Sequence, residues 1–228
     1  MRAAKILDSL TTLKGLGIGL TTVVDVGVQH STPALMAVFP NLPHVLFEPV
    51  EEYYPFIRKN YCNISHTLVE AAVSDFDGEL TLHTEKKTRG DEISHSYIVR
   101  APTASSRTVR TLTLDGYFRD HPRPGALLLK IDVEGPDVPS AILRGAAAVL
   151  SQTAAVVIEM TVDKFMERAI VLHEAGFDLW DICDLCYYQD CLWQADVVFV
   201  NRRLKDSNQN LRPMHIKPFR PELWQSGF

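Results

Sequence analysis

The feature that most constrains this chain is the run Ala126-Leu127-Leu128-Leu129-Lys130-Ile131-Asp132-Val133-Glu134-Gly135. Its first half offers almost nothing polar to turn toward water, so a strand made of it must be covered on both faces, as in the parallel sheet of an α/β domain. A second run, Thr22-Val23-Val24-Asp25-Val26-Gly27, leads into Val28-Gln29-His30-Ser31-Thr32-Pro33. A β-branched strand ending in Asp-x-Gly, then a turn with Ser, Thr and Pro placed to start a helix, reads as the first, central strand of an open parallel sheet.

Around these two runs the pattern alternates strand and helix. Strands are expected at 21–26, 44–47, 65–73, 109–112, 126–135 and 154–159, with helices at 33–39, 51–60, 113–118, 138–145 and 163–175. The alternation breaks after Ser74-Asp75-Phe76-Asp77-Gly78, where Leu80 and Leu82 suggest an antiparallel excursion at the sheet edge. From 85 to 107 the chain is polar with little periodicity, and Lys86 to Arg107, with His95, Ser96 and Tyr97, is the candidate substrate lid or else plain surface. The last two strands, 177–182 and 196–201, are joined by too few residues for a helix, so they should pair antiparallel. The tail from 204 on, with Pro, Arg and scattered aromatics, is expected to pack on the surface or on a neighbour.

At 228 residues the length suits one domain with a sizeable core. A net charge of −5 argues against a nucleic-acid partner, whose binding proteins carry a basic face. No window reaches membrane-spanning length and the N-terminus lacks a signal-peptide core, so a cytoplasmic protein with no membrane span is the default expectation. Ile6, Leu7, Leu10 and Leu13 form a helical stripe suited to the core or to a partner subunit, which puts a homo-oligomer among the expected states. Cys183, Cys186 and Cys191 form the one cysteine cluster, and His173 could join them in a zinc site, but no second Cys-x-x-Cys step accompanies them; free thiols on a late strand are the simpler account.

At the carboxyl end of the first strand, Gly27 lets backbone approach a ligand and Asp25 can offer a carboxylate to a hydroxyl or ammonium group. Glu48 follows about twenty residues later at the end of the second strand, the spacing of a carboxylate that binds ribose hydroxyls. The loop lacks the further glycines that cradle a pyrophosphate, which suits a ligand with ribose and adenine but no phosphate, such as S-adenosylmethionine. The plain alternative is that Asp25 caps its turn and Glu48 is a solvated strand end.

Taken together, Val24-Asp25-Val26-Gly27, Phe47-Glu48-Pro49, Ala71-Ala72-Val73-Ser74 with Asp77-Gly78, Thr111-Leu112-Thr113-Leu114-Asp115, Leu129-Lys130-Ile131-Asp132-Val133-Glu134-Gly135 and Val157-Ile158-Glu159 resemble the FkbM-like methyltransferases over roughly 20–160. The resemblance implies a Rossmann-like class I methyltransferase fold: a seven-stranded, mostly parallel sheet with the last strand antiparallel and helices on both faces. It implies S-adenosylmethionine as cofactor and methyl transfer to a hydroxyl of a small molecule or sugar. The domain would span 21–203, with an N-terminal helix at 1–20, an insertion or lid at 78–112 and a tail at 204–228. Asp25 and Gly27, with Gln29 in the same loop, would line the methionine side, Glu48 would hold the ribose, Ala71, Ala72 and Ser74 would lie near the adenine, and Asp132 would sit beside the sulfonium. The chain departs from the family at Gly27-Val28-Gln29-His30-Ser31, where Gly-Ala-Asn-x-Gly is usual.

Strand alternation points Lys130, Asp132 and Glu134 the same way, with the two carboxylates nearest the crevice. Asp132 and Glu134 are therefore candidate catalytic groups, and with Glu159 they could gather Mg²⁺, Asp132 and Glu159 being the expected ligands. In the alternative, Asp132 orients the cofactor and His95 or His30 takes the proton, while Lys130 pairs with a core carboxylate. Two other functions fit parts of the pattern: a cofactor-binding module that acts through assembly without catalysis, and a nicotinamide-dependent oxidoreductase, against which the missing phosphate-loop glycines count.

Overall fold

The computed structural model describes residues 4–86, 93–98, 104–135, 137–207 and 222, and for 85–86, 93–98 and 205–207 the backbone alone. In chain order the elements are α1 (Ile6–Gly15), β1 (Leu20–Val26), α2 (Pro33–Val38), β2 (His44–Phe47), α3 (Tyr54–Asn60), β3 (His66–Val69), β4 (Ala72–Val73), β5 (Gly78–Lys86), β6 (Ile93–Ile98), β7 (Ser106–Leu112) and α4 (Leu114–Asp120). Then come β8 (Ala126–Ile131), α5 (Val138–Arg144), α6 (Ala147–Gln152), β9 (Thr153–Thr161), α7 (Phe165–Glu174), β10 (Phe177–Tyr188), β11 (Cys191–Asn201) and α8 (Arg202–Ser207).

Seven strands form the main sheet in the order β10-β11-β9-β8-β1-β2-β3. The five from β3 to β9 are parallel, and β11 runs antiparallel to both of its neighbours. Alternation along the central strands decides which helices cover which face. Val24, Val26, Leu129, Ile131 and Val156 pack with Ile142 and Leu143 of α5, Val149 of α6 and Leu172 of α7. Val23, Leu128 and Val157 point the other way, onto Leu10 and Leu13 of α1 and Leu35 and Val38 of α2. Leu128 and Leu129 are both fully buried, each stabilising the fold by roughly 1.5–3 kcal/mol through removal of apolar surface from water. Two residues of the N-terminal stripe thus belong to the core of this chain, whereas Leu7 of the same helix is exposed.

The stretch expected as one third strand, 65–73, is two. Ala71 turns the chain back on Val69, its N–H donating to the Val69 carbonyl at 2.9 Å, and Ala72–Val73 then leaves the main sheet. The excursion that follows is a separate sheet of order β4-β7-β5-β6, not an addition to the first sheet's edge. Its edge strand β6 falls within the polar, aperiodic segment, because pairing with β5 runs through backbone groups that place no demand on side-chain period. Leu82 and Val109 seat this sheet on Leu46, Ile57 and Tyr61, and Arg107 clamps Glu52 through two hydrogen bonds of 2.8 and 2.7 Å.

On the opposite side, α4 begins at Thr113, whose hydroxyl accepts the Gly116 N–H at 3.0 Å. The next acid, Asp115, accepts from the Ala148 and Val149 N–H groups at 3.0 and 2.9 Å, capping α6 from a neighbouring helix. Among the described residues no helix is long and apolar enough to cross a membrane.

Candidate active site

The strand order reverses at β1: β2 and β3 lie to one side, β8 and β9 to the other. Open parallel sheets bind ligands at the carboxyl end of such a switch point. A cavity of about 660 Å³ lies there, walled by the loops after β1, β2, β8 and β9, by Ala71–Val73, by Leu82 of the second sheet and by Trp193 and Gln194 of β11.

Its floor depends on Gly27. This residue has φ +88°, and a Cβ placed on it would collide with the carbonyl oxygen of Asp132 and approach Val133 Cγ1 to 2.8 Å. The loops after β1 and β8 can therefore meet only around a glycine. Two residues on, Gln29 also has a positive φ, +51°, and its N–H donates to Glu48 Oε2 at 2.8 Å. Glu48 Oε1 accepts from Val50 N–H at 2.9 Å, so the carboxyl group joins the first two loops. At 2% exposure Glu48 is no solvated strand end. Burial pushes its pKa up to about 7 against the pull of the backbone donors.

On the far wall Glu159 ends up in the same range. Burial first, then the charges of Asp132 and Asp196, push its pKa up to about 7, while Gln194 Nε2 donates to its Oε2 at 2.6 Å. Arg168 Nη1 donates to the Glu159 carbonyl at 3.2 Å. Beneath, Lys130 is buried and bridges to Asp132 Oδ2 at 2.6 Å. Burial opposes its charge, but the carboxylates of Asp132, Asp25 and Asp196 outweigh this and hold its pKa above the usual lysine value. Lys130 thus forms its ion pair with Asp132, a cavity-lining carboxylate whose side chain is 41% exposed, and not with a core one. On β11 the pKa of Asp196, opposite Glu159 in register, is raised by burial to about 6.

With this geometry in view, the family model of the methyltransferase FkbM domain matches residues 25–179, well over half of the chain. The chain belongs to the FkbM methyltransferase family. It is thereby an S-adenosylmethionine-dependent methyltransferase by family, with the seven-stranded, mostly parallel sheet and antiparallel last strand expected of class I.

Solved structures similar to this FkbM chain include precorrin-6y C5,15-methyltransferase from Geobacter metallireducens GS-15, at 14% identity and a TM-score of 0.46, covering 84% of this chain and 85% of that one. Magnesium protoporphyrin IX methyltransferase from Synechocystis PCC 6803, with bound S-adenosylmethionine, is 9% identical with a TM-score of 0.45 over 86% and 77% of the two chains. The fibrillarin pre-rRNA processing protein of Methanococcus jannaschii is 11% identical with a TM-score of 0.46 over 80% and 67%. A comparison with curated proteins finds no match.

Of the residues singled out by sequence, Gly27, Gln29, Glu48, Ala72, Asp132, Glu134 and Glu159 line the cavity together. Asp25 does not. It is fully buried with both carboxyl oxygens enclosed, level with Lys130 in register. Val24 and Val26 of the same strand face the α4–α7 side, so alternation turns Asp25 to the other, while Val26 and the loop beyond it reach the crevice. Burial raises its pKa, with Lys130 opposing. Ser74 is also outside the wall: its hydroxyl donates to Asp75 Oδ1 at 3.3 Å and its carbonyl sits where a side chain on Gly145 would be. His30 packs edge-on against Tyr53 and Phe56 at centroid distances of 4.9 and 4.6 Å, away from the cavity wall. His95 lies on β6 opposite Glu85, and its side chain is outside the described residues.

The Mg²⁺ ligands expected at Asp132 and Glu159 gain no third partner. Among the described residues no group of three or more His, Cys, Asp or Glu side chains is arranged to hold a metal ion, and Asp132 is already matched by the Lys130 ammonium. Nor do the cysteines gather a metal. Cys183 is buried with its thiol donating to Asp181, Cys186 and Cys191 are exposed, and His173 faces Arg202. Sequence reasoning passed over Arg168, Trp193 and Gln194, which reach the site only through the long β10–β11 hairpin and the start of α7; no local spacing marks them.

Proposed function

We propose that this chain transfers a methyl group from S-adenosylmethionine to a hydroxyl oxygen of a small molecule or sugar. The observation that carries the reading is Glu48, a nearly inaccessible acid fixed by two backbone donors at the end of β2, in a cavity whose glycine loop provides no phosphate cradle. A carboxylate has more acceptor sites than the backbone donors that hold it here, which leaves capacity for a ribose hydroxyl. Ala71, Ala72 and Val73 offer an apolar wall for adenine, and Asp132 and Glu134 offer carboxylates to a cationic ligand. When bound, the cofactor supplies an electrophilic methyl group on a sulfonium. What remains for the protein is to hold the acceptor in line and to take its proton. Glu159, with its pKa at about 7 and one oxygen held by Gln194, suits that task, and Asp132 and Glu134 stand beside it as the other candidates.

Titration calorimetry with S-adenosylmethionine, its demethylated product and NAD, each with and without Mg²⁺, tests the reading. The two adenosyl sulfur ligands are expected to bind and NAD to fail, with Gly27→Ala weakening the former by about tenfold or more because the loop must move. Glu48→Gln serves as a second variant in case Gly27→Ala does not fold. Binding of NAD in preference, or of neither adenosyl ligand, overturns the proposal in favour of an oxidoreductase or a non-catalytic module.

A further inference from the structure

The β10–β11 hairpin is longer than the sheet requires. β11 pairs with β9 only from Gln194 onward, opposite Thr161, so the tip from Cys186 to Trp193 projects past the carboxyl edge where the cavity opens. Trp193 is 54% exposed while lining the cavity. Tyr188, across the hairpin, braces it edge-on at 6.4 Å between centroids, and is itself exposed. The indole presents an exposed apolar face at the mouth of the cavity.

The polar groups beside it are nearly all acceptors. Glu134, Glu159 and Asp163 bring carboxyl groups, and Gln194 gives one of its two amide N–H groups to Glu159 and keeps its carbonyl oxygen as an acceptor. The one cation among the described lining residues, Arg168, is engaged with the Glu159 carbonyl and further contacts. A ligand that satisfies this wall must bring hydroxyl donors, and one that brings phosphate or carboxylate sets acceptor against acceptor and like charge against like. A flat phenol can lie on the indole but brings too few donors for the wall. A sugar ring has both surfaces: an apolar C–H face and a rim of hydroxyls.

We propose that the hairpin tip is the acceptor subsite, with Trp193 stacking the apolar face of an uncharged sugar ring whose hydroxyls meet Glu159 and Gln194. This rests on the methyltransferase reading of the same cavity and narrows its substrate to neutral glycosides.

The test uses ligand-observed saturation-transfer NMR on the full chain, with a panel of methyl glycosides, the matching sugar 6-phosphates and catechol. Affinity for the demethylated cofactor is measured in parallel on each variant. Methyl glycosides are expected to bind saturably and their phosphates about tenfold more weakly or worse. Trp193→Ala should weaken glycoside binding by about tenfold, Trp193→Phe should restore most of it, and neither should alter cofactor affinity. Tighter binding of phosphates or catechol overturns the proposal, as does a Trp193→Ala variant that binds glycosides unchanged or a wild type that binds none. The glycoside titrations are run with and without demethylated cofactor, so a protein that binds glycosides but no cofactor sinks the methyltransferase reading, and one that binds cofactor but no glycoside sinks this one.

Discussion

Replacing Glu48 by Gln should change how the stability of the protein depends on pH, by an amount that follows from the burial of one carboxyl group. In the fold its pKa is about 7, against 4.5 for an ordinary glutamate. A carboxyl group with a raised native pKa holds its proton more tightly folded than unfolded. The stability this confers is complete below about pH 4.5 and is lost as pH rises through about 7. Between pH 5 and pH 8 the loss is about 2.5 kcal/mol. Glu159 and Asp196 shift in the same direction, but subtracting the wild-type curve from the variant's removes them. The substitution has a cost of its own: an amide NH₂ must face either the Gln29 or the Val50 N–H, at about 1–3 kcal/mol, independent of pH. Urea unfolding at intervals from pH 5 to pH 8 should therefore show Glu48→Gln less stable at the acid end and gaining about 2.5 kcal/mol on wild type by the alkaline end. A difference that stays constant with pH would mean that Glu48 is as readily ionised in the fold as in the unfolded chain, and the argument from burial would fall.

Two further outcomes follow from local geometry. Gln29 occupies the left-handed region at φ +51°, which Asn tolerates better, so Gln29→Asn should raise stability by about 0.5–1 kcal/mol, or Tm by about 2 °C; an unchanged or lower Tm in calorimetry would show that residue 29 carries no strain. Asp115→Ala removes the acceptor of two N–H groups at the start of α6, where Ala146 provides no side-chain cap, and should cost about 1–2 kcal/mol in urea unfolding while leaving cofactor affinity alone; a loss under about 0.5 kcal/mol would show that water replaces the carboxylate there.

The sheet could be read from the chain because its strands carry their burial in their composition. Ala126–Leu129 and Val45–Phe47 are apolar throughout, and the strands built on them, Ala126–Ile131 and His44–Phe47, fall within the runs that the pattern marks, the first stopping at Ile131 short of the expected end. The antiparallel last pair followed from a connection too short for a helix, although the strands run to Tyr188 and begin at Cys191, beyond the expected ends, since backbone pairing can continue through polar residues that alternation does not mark. The break at Ala71 and the second sheet were not legible, because a chain reversal through one backbone hydrogen bond leaves no pattern in residue type.

The site divides in the same way. Gly27 and Glu48 were marked by sequence alone, since a close backbone approach permits only glycine and the acid sits at a fixed distance along a β-α-β unit. Asp132 and Glu134 were marked by the strand that ends before them. The tertiary structure decided the rest. It turned Asp25 away from the cavity to a buried position level with Lys130, bound Lys130 to Asp132 in an ion pair, and carried Trp193 and Gln194 across from the end of the sheet to face residues far from them in sequence. Sequence determines what each strand and loop must bury; which side chains meet depends on register and on the faces that packing leaves open, and both are settled only when the whole sheet has closed.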